Sequence, residues 1–137
     1  MAADSAQRLR YTLTCVGLGL VLGWMPMLVH GPVPEKWSVH GVNGALVVWA
    51  YYAARLSIGA WVGFSSTPAS WYWRGPLCGA LAMLPLGLVG LANPLCGAPC
   101  MLWNTVTGAT VGFAVAGLAW SFTGRHHARD QSQAVRS

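Results

Sequence analysis

Four long runs of apolar residues, almost free of charge, constrain this chain more than any other feature. They cover residues 11–29, 41–64, 75–92 and 100–122, and Arg55 is the only charged residue within them. At 1.5 Å per residue, each run forms a helix of about 27 to 36 Å, which matches the ~30 Å hydrocarbon core of a bilayer. The sequence therefore predicts an all-α integral membrane protein, a bundle of about four transmembrane helices.

Composition and periodicity agree with lipid as the solvent and with helices as the spanning elements. Hydrophobic residues make up 55% of the chain and charged residues only 8%, against roughly 25% charged in an ordinary soluble domain. The run 47–54 lacks the alternation of a transmembrane strand, which favours helices. A variant with three spans, in which the third run is re-entrant around Pro85, is the alternative that the sequence leaves open.

The remaining segments are short and polar. Residues 1–10 form an N-terminal segment, 11–122 the four-span domain, and 123–137 a polar tail that we expect to be solvated and partly disordered. The sequence predicts a loop over residues 65–74, which places Pro76 in the first turn of the third helix. The first apolar run is longer than that of a signal peptide and no small-residue cleavage site follows it, so we expect an uncleaved span.

The basic residues predict the orientation in the membrane. Four spans place both termini on one side, and six basic residues lie there: Arg8, Arg10, Arg74, Arg125, Arg129 and Arg136. The other side carries only Lys36. The excess of Lys and Arg on cytoplasmic loops predicts cytoplasmic termini, in a plasma or inner membrane. The aromatic residues agree, with an inner belt of Tyr11, Trp61, Trp71, Trp73 and Trp120 and an outer belt of Trp24, Trp37 and Trp103.

The net charge of +5 therefore reflects orientation rather than nucleic-acid binding, since no basic patch or recognition module is visible. The lipid bilayer is the first partner that the sequence predicts.

A Gly-x-x-x-Gly pair occurs in every apolar run: Gly19/Gly23, Gly59/Gly63, Gly75/Gly79 and Gly108/Gly112. Two glycines one turn apart form a flat helix face on which another backbone can pack closely, and such packing drives helix association in lipid. Four pairs predict a tight bundle. The spacing does not distinguish contacts within the chain from contacts in a homo-oligomer or a larger membrane complex.

Arg55 is the one charge deep in a span, and an intramembrane charge is a functional candidate. The three acidic residues, Asp4, Glu35 and Asp130, all lie outside the spans. The interpretation without a functional role is that the Arg55 side chain extends along the helix to the cytoplasmic interface. The functional interpretation is contact with an anion, a lipid headgroup or a partner subunit.

The predicted outer end collects soft and borderline metal ligands: Met25, Met27, His30, His40, Cys96 and Cys100. Thioether, imidazole and thiolate groups together suit copper, and two histidines can hold a haem between helices. The spacing matches no established metal or haem motif. Cys96 and Cys100 can equally form a small-loop disulfide, whereas Cys15 and Cys78 read as small apolar fillers.

Three functional hypotheses follow. The first is a non-catalytic accessory or structural subunit of a membrane complex, packed through glycine-rich helix faces. The second is an outer-face protein that binds or handles copper or haem. The third is a small transporter or channel, for which Arg55 is the motivation. The sequence shows no paired carboxylates and no nucleophile with an oriented base, so it offers no catalytic residues.

Overall fold

The structure, a computed structural model, describes residues 2–30, 44–66, 70–92 and 97–134. Within them the chain forms four α-helices: α1 Ala2–His30, α2 Gly44–Phe64, α3 Trp71–Ala92 and α4 Gly97–Ala134. No strand occurs in this part of the chain. The prediction of an all-helical fold with four helices is confirmed.

Several of the helix bounds differ from the predicted ones. α3 begins at Trp71 rather than at Gly75, because the backbone carbonyl of Ser70 accepts hydrogen bonds from the amides of Trp73 (3.2 Å) and Arg74 (3.0 Å). Ser70 thus occupies the position at which a helix begins. As a result Pro76 lies inside the helix, beyond its first turn.

The other ends of the helices also extend beyond the apolar runs. α1 begins at Ala2, so most of the predicted N-terminal segment is helical. α4 continues past Phe122 to Ala134, where a partly disordered tail was expected. α3 is one continuous helix through Pro85, which contradicts a re-entrant third run.

Two helices are long and apolar enough to cross a membrane within the described residues, Trp71–Leu91 in α3 and Gly97–Gly124 in α4. With 22 residues, α3 is about 33 Å long, which matches the hydrocarbon core. Only about 28% of each of these segments is buried inside the fold, so most of their apolar surface faces outwards.

The helices are arranged as a bundle with two closely packed pairs. α3 packs most extensively on α4, and α1 on α2; α2 and α4 also approach each other across the bundle, while the described backbones of α1 and α3 do not. α2 and α4 therefore form the short diagonal. The core is built from small and medium side chains: Cys15, Ile58, Val62, Cys78, Met83, Val115, Ala116 and Ala119.

In each of the two helix pairs, glycines on both helices bring the two backbones into close contact. In the first pair, a Cβ atom added to Gly19 would lie 2.6 Å from the Cα of Gly59, and one added to Gly59 would collide with the carbonyl oxygen of Cys15. Gly63 likewise meets the backbone of Thr12, at 3.1 Å. The hydroxyl of Thr12 donates a hydrogen bond to the carbonyl oxygen of Gly63 (3.0 Å), which links the same two helices.

Gly23 extends the contact between α1 and α2 by one further turn. A Cβ atom added to Gly23 would lie 3.2 Å from the amide nitrogen of Leu56 and 3.3 Å from the carbonyl carbon of Arg55. These distances are longer than the 2.6 Å found at Gly19. The two glycines of this pair are therefore not equivalent, since the closest backbone approach is at Gly19 and the contact at Gly23 is looser.

The second helix pair repeats the close approach. Cβ atoms at Gly79 and Gly108 would each collide with the carbonyl oxygen of the other residue, and Gly75 and Gly112 face each other in the same way. All four Gly-x-x-x-Gly pairs thus lie at helix contacts within the chain.

We predict that Gly79→Ala lowers the free energy of unfolding by about 1–3 kcal/mol, because the added methyl group must push the backbone of α4 away. Gly17→Ala is the matched control. No atom lies within 4 Å of the Cβ position at Gly17, so alanine should stabilise α1 by about 0.5–1 kcal/mol. Unfolding in mixed detergent micelles measures both values, and a Gly79→Ala protein as stable as the wild type would contradict the backbone contact.

Candidate polar and aromatic sites of the bundle

Arg55 lies in the interior of the bundle. Its side chain is only 5% exposed, and its Nη2 atom donates a hydrogen bond to the hydroxyl of Thr107 on α4 at 3.3 Å. The guanidinium carbon lies 4.7 Å from the centre of the Tyr51 ring, within the range of a cation–π interaction. The side chain therefore points towards α4 inside the bundle. It does not point outwards, as a side chain that extends to the cytoplasmic interface would.

Other polar groups accompany Arg55 at this level. Asn104 is buried, at 7% exposure, one turn of α4 before Thr107, and the Thr107 hydroxyl donates in turn to the carbonyl oxygen of Asn104 (3.0 Å). Tyr52 is buried beside Tyr51 and stacks on Trp24 of α1, with ring centres 5.7 Å apart. We call Arg55, Tyr51, Asn104 and Thr107 the polar layer, which crosses the short diagonal of the bundle between α2 and α4.

A second arginine, Arg74, links α3 to α1 and to the residue that follows α2, at the end of the bundle where α3 begins. The Nη2 atom of Arg74 donates to the hydroxyl of Tyr11 at 2.8 Å, and its Nη1 atom donates to the carbonyl oxygen of Ser65 at 3.4 Å. Its guanidinium carbon also lies 5.1 Å from the centre of the Tyr11 ring. The sequence identified Arg74 only as an orientation signal. An arginine beside aromatic residues at a helix start is the pattern that could have suggested this structural role.

The cysteines fall into two groups. Cys15 and Cys78 are free thiols buried in the core, as small apolar residues would be. Cys100 lies in the first turn of α4 and is not a free thiol. Cys96 lies outside the described residues, so its pairing with Cys100 stays a prediction.

For most of the predicted metal ligands, the structure does not describe the position of the side chain. His40 lies outside the described residues; Met27 and His30 belong to the last turn of α1. The Met25 side chain is 50% exposed on the same helix. Among the described residues, no group of three or more His, Cys, Asp or Glu could hold a metal ion. The copper or haem site stays a prediction.

An aromatic patch covers the start of α3 and the adjoining face of α4. The patch comprises Trp71, Tyr72, Trp73, Phe113 and Trp120. Trp71 is in ring contact with Tyr72, Phe113 and Trp120, and Tyr72 with Trp73. The Trp71 ring lies 5.7 Å from Trp120 and 5.5 Å from Phe113. The four residues around Trp71 are between 45% and 60% exposed. A contiguous surface of this kind suits contact with lipid or with another apolar helix.

No protein-family model, curated protein or solved structure matches this chain.

We predict that Tyr11→Phe destabilises the fold by about 1 kcal/mol, because it removes the hydroxyl that accepts the hydrogen bond from Arg74. Tyr72→Phe removes the same atom from an exposed ring and should change the free energy of unfolding by less than about 0.5 kcal/mol. Equal effects of the two substitutions on the unfolding midpoint in detergent would show that the Tyr11–Arg74 bond does not hold this end of the bundle together.

Proposed function

We propose that the chain is a four-span integral membrane protein, with cytoplasmic termini in a plasma or inner membrane, that serves as a non-catalytic subunit of a larger membrane assembly. Large apolar side chains are exposed on all four helices, for example Leu13 at 61%, Phe64 at 73% and Trp103 at 67%. Monomeric soluble proteins rarely expose apolar surface on this scale. The exposure supports lipid as the surrounding medium for α1 and α2 as well as for α3 and α4.

The aromatic patch is the observation that carries the subunit proposal. The glycine faces, on which the sequence-based hypothesis relied, are occupied within the chain, so a partner must dock on side chains instead. From Trp120 to Phe113 the patch extends over seven residues, about 10 Å along α4. An aromatic belt stays at headgroup level, whereas a patch that also runs along the helix fits an apolar partner helix. Aromatic side chains are enriched at such interfaces.

The partner that fits this surface is an apolar transmembrane helix, either from a larger complex or from a second copy of the chain. The polar layer around Arg55 lies inside the bundle, away from the patch, so partner binding does not depend on it. The copper or haem hypothesis and the transporter hypothesis stay predictions.

We predict that the double variant Tyr72→Ala/Trp73→Ala loses the partner while the bundle still folds. Both side chains are more than half exposed, so truncation should change the stability of the isolated chain little. Loss of interface aromatics weakens binding by about 2 kcal/mol or more, roughly thirtyfold. The readout is co-purification from native membranes in mild detergent. Trp103→Ala, at 67% exposure outside the patch, is the control, and equal recovery of partners with both variants would contradict the proposal.

We predict that single cysteines introduced into a cysteine-free variant react from opposite sides of the membrane. Ser38→Cys should react with an impermeant thiol reagent on intact cells, whereas Ser5→Cys and Ser132→Cys should react only after the membrane is opened, because the arginines hold the termini inside. If only α3 and α4 span, Ser5→Cys and Ser38→Cys will react from the same side, and the four-span arrangement is wrong.

A further inference from the structure

The guanidinium of Arg55 has hydrogen-bonding capacity that the described residues do not use. A guanidinium carries five N–H donors, and the Nε atom of Arg55 is buried without a hydrogen-bond partner among them. The Nε atom of Arg74 is buried in the same way, but both Nη atoms of Arg74 donate hydrogen bonds, to Ser65 and Tyr11. The bond to Thr107 is 3.3 Å long, whereas charge-assisted bonds of arginine are commonly 2.7–2.9 Å. The Arg55 side chain is therefore held in place but incompletely paired.

No negative charge from the neighbouring helices balances this cation. α2 and α3 contain no acidic residue, and those of α1 and α4, Asp4 and Asp130, lie near the far termini of these helices. A buried charge without a counterion is strongly unfavourable unless an ion from outside the chain compensates it. We propose that the polar layer of Arg55, Tyr51, Asn104 and Thr107 is a binding site for a small monovalent carboxylate.

The depth of Arg55 argues against a lipid headgroup as this anion. Eleven residues separate Arg55 from Gly44 and nine separate it from Phe64, which places it about 16 Å and about 14 Å from the two ends of α2. Lipid phosphates lie outside the ~30 Å hydrocarbon core, so they do not reach the middle of a spanning helix.

The position on the short diagonal argues against a carboxylate from a fifth helix. Arg55 is 5% exposed and contacts α4 across the bundle, so an acidic side chain from outside would have to separate the helices. A small free anion brings no helix with it, so its binding requires less separation of α2 and α4.

Charge balance and the planar shape of the guanidinium together select the class of anion. Arg55 is the only buried charged side chain in the described part of the chain. A singly charged carboxylate neutralises it, and its two oxygens match two parallel N–H groups of the guanidinium. A phosphate with two charges would leave one uncompensated in the same apolar surroundings. Asn104, one turn of α4 before Thr107, carries two N–H donors in its buried side chain.

The test is a titration of isotope-labelled protein with acetate in nanodiscs of phosphatidylcholine, at constant ionic strength maintained with chloride. The Nε–H resonance of Arg55, assigned by its loss in Arg55→Lys, should shift saturably with acetate, while that of Arg74 should not. Followed on the backbone amide resonance of Thr107, Arg55→Gln should weaken acetate binding at least about tenfold, and Arg74→Gln should leave it within about twofold. Circular dichroism verifies that each variant is helical.

Three outcomes overturn the site. The first is an Arg55 resonance that does not move with acetate in the wild-type protein. The second is a shift that anionic phosphatidylglycerol produces without acetate, which would assign the site to a lipid. The third is a shift seen only in the assembly purified from native membranes, which would assign it to a partner's carboxylate. The first two results are independent of whether the aromatic patch binds a partner.

Discussion

Backbone-to-backbone contact at paired glycines is the constraint on which the rest of this structure depends. Gly59 touches the backbone of α1, and Gly79 that of α4. Helices that lie so close leave little room between them, which accounts for a core of cysteine, alanine, valine and other compact side chains. In lipid, where burial of apolar surface gives little driving force, such contacts supply the packing that holds helices together. Large side chains are left for the outside.

Close packing also determines where polar groups can lie. The core of compact apolar side chains and the polar layer around Arg55 adjoin in the same bundle, since Tyr51 packs against the core. The second arginine is placed at a helix end. Each arginine contacts a tyrosine ring. Arg55 contacts Tyr51, one turn earlier in the same helix, and Arg74 contacts Tyr11 of another helix. An aromatic ring accepts a cation without contributing a negative charge. This chain, with three acidic residues in total, uses that solution twice.

The sequence predicted the number and type of the helices because four apolar runs of 18 or more residues, with one charge among them, leave few alternatives. It predicted less well where the helices end, since the Trp-rich segment before Gly75 resembles a loop until Ser70 is seen to begin the helix. Glycine spacing indicated faces but neither their partners nor the looser contact at Gly23. The environments of the arginines were out of reach, because Thr107 is 52 residues from Arg55 and Tyr11 is 63 from Arg74; contacts at such separations follow from the assembled bundle.

The bond across the short diagonal has a consequence for biogenesis. In the proposed membrane arrangement, α2 leaves the ribosome with its arginine 52 residues before Thr107 is made. Insertion of an arginine at the centre of a helix costs about 2.5–3.5 kcal/mol on translocon scales. When α2 is complete, α1 is the one other membrane segment already synthesised, and its glycines provide the docking face for α2. Pairing of the first two helices is then the step that retains a charged segment in the bilayer until the second pair arrives.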